Sequence, residues 1–119
     1  LNKSIYFFGV LLYNLIINKC KGAYMKFTIY QPKNPTFRVD SEEVNYFADD
    51  YNKVYEGTTE IDKEKTDEEI LEILFRIFNE MITRPSDFKG HSLSVGDIVV
   101  LNKQAYICDS FGWNKINLF

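Results

Sequence analysis

Two short apolar runs, Ile98-Val99-Val100-Leu101 and Ala105-Tyr106-Ile107-Cys108, flank Asn102-Lys103-Gln104, and no other stretch restricts the fold so tightly. The first run is β-branched and continuous, the pattern of a strand buried on both faces. A turn at Asn102-Lys103-Gln104 brings the second run back on the first as a hairpin. Gly96-Asp97 opens the unit, since glycine takes positive φ freely and aspartate bonds backbone amides. Asp109-Ser110 and Gly112 close it. The Phe111 and Trp113 rings beyond either cover the open end of the sheet or form an exposed aromatic patch for a partner.

The rest of the chain supports this hairpin. At 119 residues, 45% of them hydrophobic and 16% aromatic, it suffices for one core and one domain. Thr66 and Glu69 form a capping box, and the apolar positions Ile70, Leu71, Ile73, Leu74, Phe75, Ile77, Phe78, Met81 and Ile82 predict one long helix from Asp67 to Ile82, ended by Pro85. So broad an apolar face calls for a sheet on one side and another element or a partner on the other. Lys26 to Gln31 alternates with Phe27, Ile29 and Gln31 on one face, a strand stopped by Pro32 and Pro35. Ser41 is placed to cap a short helix through Ala48, with Val44 and Phe47 inward. Tyr51 to Glu56 reads as a strand closed by Gly57, and Thr58 to Lys65 as a surface loop. The expectation is an α+β domain: a small, mostly antiparallel sheet with the C-terminal hairpin at its centre, packed on one long amphipathic helix.

Chemistry-bearing residues are sparse. Cys20 and Cys108 are far apart and in no metal-like spacing, so the expectation is reduced thiols in a cytoplasmic protein. His91, the one histidine, has Ser92, Ser94, Asp97, Cys108 and Asp109 near it in sequence. A nucleophile needs a base in reach and a third group to orient it, and nearness in sequence supplies no such geometry. A loop hydrogen bond is the expected role of His91, and a small buried hydrophobe that of Cys108. Gly90, Gly96 and Gly112 are too scattered to cradle a phosphate. Asp49-Asp50 lacks the further oxygen ligands of a hard-cation site. No catalytic residue, metal or cofactor is expected, and a small His91-dependent enzyme is the weaker alternative.

Charge is unevenly spread. From Asp40 to Glu72 there are 13 acidic residues against Lys53, Lys63 and Lys65, while the remainder is basic, within a net charge of −3. The acidic stretch would repel phosphates, which argues against direct nucleic-acid binding there. It leaves a basic partner, or imitation of nucleic acid, as alternatives.

The first 24 residues read differently. Ile5 to Ile17 is apolar but short for a span of about 20 residues, and no small-x-small cleavage site follows. Lys21-Gly22 is encoded AAR-GGN, which can read as a ribosome-binding sequence ahead of the Met25 codon. An over-extended reading frame is therefore preferred for 1–24 over a short apolar anchor or signal and over a native helix, with the domain spanning 25–119. Membrane association depends wholly on 1–24 being translated.

Three stretches carry a family resemblance: Phe27-Thr28-Ile29-Tyr30-Gln31; Asp50 to Gly57 (DYNKVYEG); and Asp87 to Leu101 (DFKGHSLSVGDIVVL), continued by Tyr106 to Trp113 (YICDSFGW). In order and spacing they resemble the YodL-like domain, a small domain of low-GC Gram-positive bacteria and their mobile elements. The chain departs from that pattern at Gly96, where the family has Ser, and at Trp113, usually Phe. The resemblance implies a non-enzymatic module with no catalytic residues to carry over. By association it implies a mobile-element protein that engages a host protein, of a defence system or of the actin-like cell-shape apparatus, as a counter-defence factor. The expected contact surface is Asp87 to Ser94 with Asp109 to Trp113, carried by His91, Ser92, Ser94, Asp97, Asp109, Phe111 and Trp113.

Overall fold

Asn102 and Lys103 have positive φ, 47° and 73°, which gives a two-residue turn whose twist matches the strands it joins. In this computed structural model, which describes residues 24–35, 38–60 and 63–119, β4 (Ile98–Leu101) and β5 (Gln104–Asp109) form the expected hairpin with Leu101 opposite Gln104 and Ile98 opposite Ile107. Gly96 ahead of it has φ of 97°. The readings that fall within 1–23, on Cys20 and the apolar run among them, lie outside the described residues.

The other strands are β1 (Tyr24–Pro32), β2 (Asn45–Tyr46), β3 (Tyr51–Glu60) and β6 (Gly112–Leu118), in the order β2-β6-β5-β4-β1-β3. The hairpin is central, as expected, and among the described residues one helix, α1 (Asp67–Asn79), packs on the sheet, so the α+β class holds. The small, mostly antiparallel sheet holds in part: among the described residues four of its five strand pairings are antiparallel. It is a mixed, six-stranded sheet curled as a half-barrel, in which β2 and β6 run parallel at one edge.

The sheet separates two apolar clusters. Met25, Phe27, Ile29, Val99, Leu101, Tyr106, Cys108 and Trp113 meet Ile70, Leu71, Leu74 and Phe78 of α1. On the opposite face Ile98, Ala105, Ile107 and Ile116 are covered by Val39, Tyr46 and Tyr51. Both faces of β4 are thus covered, which is why its sequence does not alternate.

The expected helix from Ser41 to Ala48 is absent: the chain makes a turn, then β2, then a single 3-10 turn at Ala48–Asp50. Its backbone groups bond instead to β6 and beyond, Asn117 N to Val44 O (2.7 Å) and Phe119 N to Tyr46 O (2.9 Å). Val44 and Phe47, expected inward, are 46% and 56% exposed.

Gly57 does not close β3. It lies opposite Phe27 in mid-strand, where a Cβ would stand 2.7 Å from the Tyr55 ring, so glycine admits the stacked Phe27 and Tyr55 rings. β3 accordingly runs on through Thr58 and Thr59 to Glu60, where a loop was expected. Upstream, the register between β1 and β3 shifts by one residue, leaving Val54 between Tyr55 (opposite Ile29) and Lys53 (opposite Tyr30). This bulge turns Val54 and Tyr55 toward the α1 cluster and Tyr51 toward the other.

The capping box at Thr66 and Glu69 is present. At its other end α1 stops at Asn79, short of the expected Ile82. Asn79 donates to Leu93 O (3.1 Å) and accepts from Leu93 N (2.6 Å), and Glu80 is extended. Thr83 Oγ1 donates to Ile77 O and Arg84 Nε to Phe78 O, both at 2.8 Å, so side chains satisfy the last carbonyls. Met81 and Ile82 therefore leave the helix face and are 90% and 97% exposed.

Candidate functional site

The segment Asp87 to Ser94 is held by β1 and β3. Lys89 N donates to Val54 O at the bulge (3.1 Å), and the Phe88 ring packs edge-on against Phe78 with centroids 5.0 Å apart. Gly90 passes so close to the Gln31 side chain that a Cβ there would collide with Oε1. Gln31 clamps the next residue: its Oε1 accepts from His91 N (3.1 Å) and its Nε2 donates to His91 O (2.8 Å) and to Asp97 Oδ2 (3.1 Å). His91 Nδ1 is 2.8 Å from Ser92 O and 3.3 Å from Gln31 Nε2. The histidine therefore makes the expected loop hydrogen bond.

Asp97 is buried beneath this clamp and also accepts from Ser94 N (2.9 Å). Burial pushes its carboxyl above the ordinary range, against the opposing hydrogen bonds from Ser94 and Gln31 and the nearby His91. Its own carbonyl accepts from Cys108 N (2.8 Å), and Gly96 N donates to Cys108 O (2.9 Å). The two predicted segments thus flank the same end of the hairpin, opposite its Asn102-Lys103 turn.

In the second segment Asp109 bonds Ser110 N (2.7 Å) and Asn114 Nδ2 (3.0 Å), fixing the β5–β6 turn. The two rings left open by sequence divide. Trp113 is buried, edge-on to Phe75, with its indole N–H on Glu72 Oε1 (3.0 Å), whereas Phe111 is fully exposed. Between α1 and the turn lies an open groove of about 440 Å³ lined by Glu68, Glu72, Phe75, Cys108 and residues 109–112.

Of the seven predicted contact residues, His91, Ser92 and Phe111 are exposed, Ser94 and Asp109 are half-buried, and Asp97 and Trp113 are buried in internal hydrogen bonds. Ser92 Oγ accepts from Arg84 Nη2 (3.0 Å). Sequence reasoning missed the groove residues Glu68, Glu72 and Phe75 and the organising part played by Gln31. The signal for Gln31 was present, a polar residue on the inward face after Phe27 and Ile29.

Cys108 is buried as expected. Its thiol is 3.8 Å from Asp109 O, and burial, aided by the negative Asp97, Glu72 and Asp109, pushes it up to about 12. A thiolate is the reactive form, so Cys108 in the native chain should resist iodoacetamide at pH 8, read by mass spectrometry on its own peptide, and react once urea unfolds the chain. Rapid native labelling would contradict the burial.

The acidic residues do not form one strip. Asp40, Glu43, Asp49 and Asp50 accompany the segment covering the second cluster, and Asp67, Glu68, Glu69 and Glu72 lie on α1 across the sheet. Among the described residues no helix is long and apolar enough to cross a membrane, and no three His, Cys, Asp or Glu side chains gather as metal ligands.

A family model described as YodL-like domain matches residues 11–119. No curated protein and no solved structure matches the chain.

Proposed function

The chain belongs to the YodL-like domain family, and from that premise we propose that it is a non-enzymatic protein-interaction module whose anchor is Phe111. The supporting observation is the contrast at the β5–β6 turn. Asp109 and Asn114 hold the turn fixed, Trp113 is packed inside, and the intervening Phe111 ring is presented wholly to solvent. An aromatic ring held out on a rigid turn loses little entropy when a partner covers it, which is the character of an interface hot spot. His91 and Ser92 lie toward the rim, across the Asp97–Cys108 link. The partner in this reading is a host protein, of a defence system or of the cell-shape apparatus, and the chain a counter-defence factor encoded on a mobile element. Family resemblance alone supports that setting.

The test is capture of partners on the full chain at low and high salt, with Phe111→Ser beside it. One dominant protein retained at high salt and lost with Phe111→Ser is the expected result. The substitution should alter stability by no more than about 0.5 kcal/mol, since the ring touches little of the fold. A partner lost in high salt but indifferent to Phe111→Ser would favour acidic mimicry. An effect that vanishes with His91→Ala and is unmoved by Phe111→Ser would favour the enzyme reading.

A further inference from the structure

Resting on the interaction-module reading, we propose that the groove between α1 and the β5–β6 turn seats an arginine side chain of the partner segment that Phe111 anchors. The groove has an apolar floor, the half-buried Phe75 ring beside Cys108, and its charged walls are all carboxylates: Glu68, Glu72 and Asp109. Among the described residues neither Lys nor Arg lines it.

Charge complementarity therefore selects a cation, and the mixture of aromatic floor and acidic wall selects the kind. A guanidinium is planar and weakly hydrated, lies flat on a ring and offers several N–H donors to carboxylates at its edge. A lysine ammonium is a strongly hydrated point charge that would lose more water on entering. Glu72 is already oriented by the Trp113 indole and Asp109 by Ser110 and Asn114, so both carboxylates stand in place before a partner arrives. The positive end of α1, equivalent to about half a charge, opposes a cation. Asp67, Glu68 and Glu69 in its first turn outweigh it.

The test titrates the full chain with three capped tetrapeptides, of leucine alternating with arginine, lysine or glutamate, followed by amide chemical shifts and by fluorescence of Trp113, the one tryptophan. The arginine peptide should give saturable shifts at Glu68, Glu72, Phe75 and Ser110 to Gly112, the lysine peptide weaker ones and the glutamate peptide none. Glu68→Lys should weaken the arginine peptide about tenfold or more, and the milder Glu68→Gln about threefold, equivalent to roughly 1.4 and 0.7 kcal/mol. Equal response to arginine and glutamate peptides, shifts spread over other surfaces, or affinity unchanged in both variants would overturn the proposal. If the arginine preference fails while Phe111→Ser still abolishes partner capture, the inference falls and the module reading stands. If Phe111→Ser leaves capture intact, the module reading itself falls.

Discussion

Phe78→Ala should cost about 3–5 kcal/mol of stability, the range for truncating a buried aromatic side chain. Phe78 is 1% exposed on the last turn of α1 and is the point where helix, sheet and loop meet. Its ring lies edge-on to Tyr55 of β3 at 5.0 Å, to Phe27 of β1 at 5.9 Å and to Phe88 at 5.0 Å. Each such pair contributes about 0.5–1.5 kcal/mol beyond the area it buries. Against a total of about 5–15 kcal/mol for a typical domain, the substitution removes a large fraction. Urea unfolding followed by Trp113 fluorescence would measure it, and a loss under about 1 kcal/mol would show that the four rings are not a cooperative centre. If the alanine variant does not fold, Phe78→Leu keeps much of the volume and should retain a measurable transition about 1–2 kcal/mol below the native chain.

What sequence revealed of this fold follows the range of the interactions concerned. The β4–β5 hairpin and the Thr66 cap were legible because partners lie within a few residues, Leu101 beside Gln104 and Thr66 beside Glu69. The end of α1 was not, because Asn79 finds its partner at Leu93 and the carbonyls of Ile77 and Phe78 find theirs at Thr83 and Arg84. Ser41 carried a local helix signal that lost to the longer-range pairing of residues 44–46 with 117–119. β6 went unrecognised because Trp113 faces α1 while Ile116, three residues on, faces the other cluster, so its two buried anchors share no face.

The site divides the same way. Phe111 and Trp113 were singled out from sequence, but only the packing separates an exposed ring from a buried one. The groove joins Asp109 with Glu68 and Glu72, some forty residues apart, through the docking of α1 on β5 and β6. No local pattern encodes that meeting.

Gln31→Leu keeps the approximate volume of the side chain while removing its amide, and is expected to cost about 3 kcal/mol at pH 7, because it leaves buried polar groups and a carboxylate short of partners. The groups affected are His91 N, His91 O and Asp97 Oδ2, all now served by one amide. The loss should depend on pH in a definite direction. The Asp97 carboxyl is raised by burial and held back in part by the Gln31 hydrogen bond. A carboxyl raised in the folded state favours folding when protonated, so its contribution is fully present below the unfolded pKa and is lost as pH rises through the folded value. Without the amide the folded value climbs further, and the charged form becomes costlier at neutral pH. The difference between native chain and variant should therefore be largest near pH 7 and should shrink as pH falls toward the ordinary aspartate range. Comparing the two proteins at each pH cancels the other carboxylates. Urea midpoints at pH 7 and at mildly acidic pH, with the amide shifts of His91, Ser92 and Ser94 as local reporters, decide it. A penalty of equal size at both would mean that the amide holds only the His91 backbone, and that Ser94 N alone suffices for Asp97.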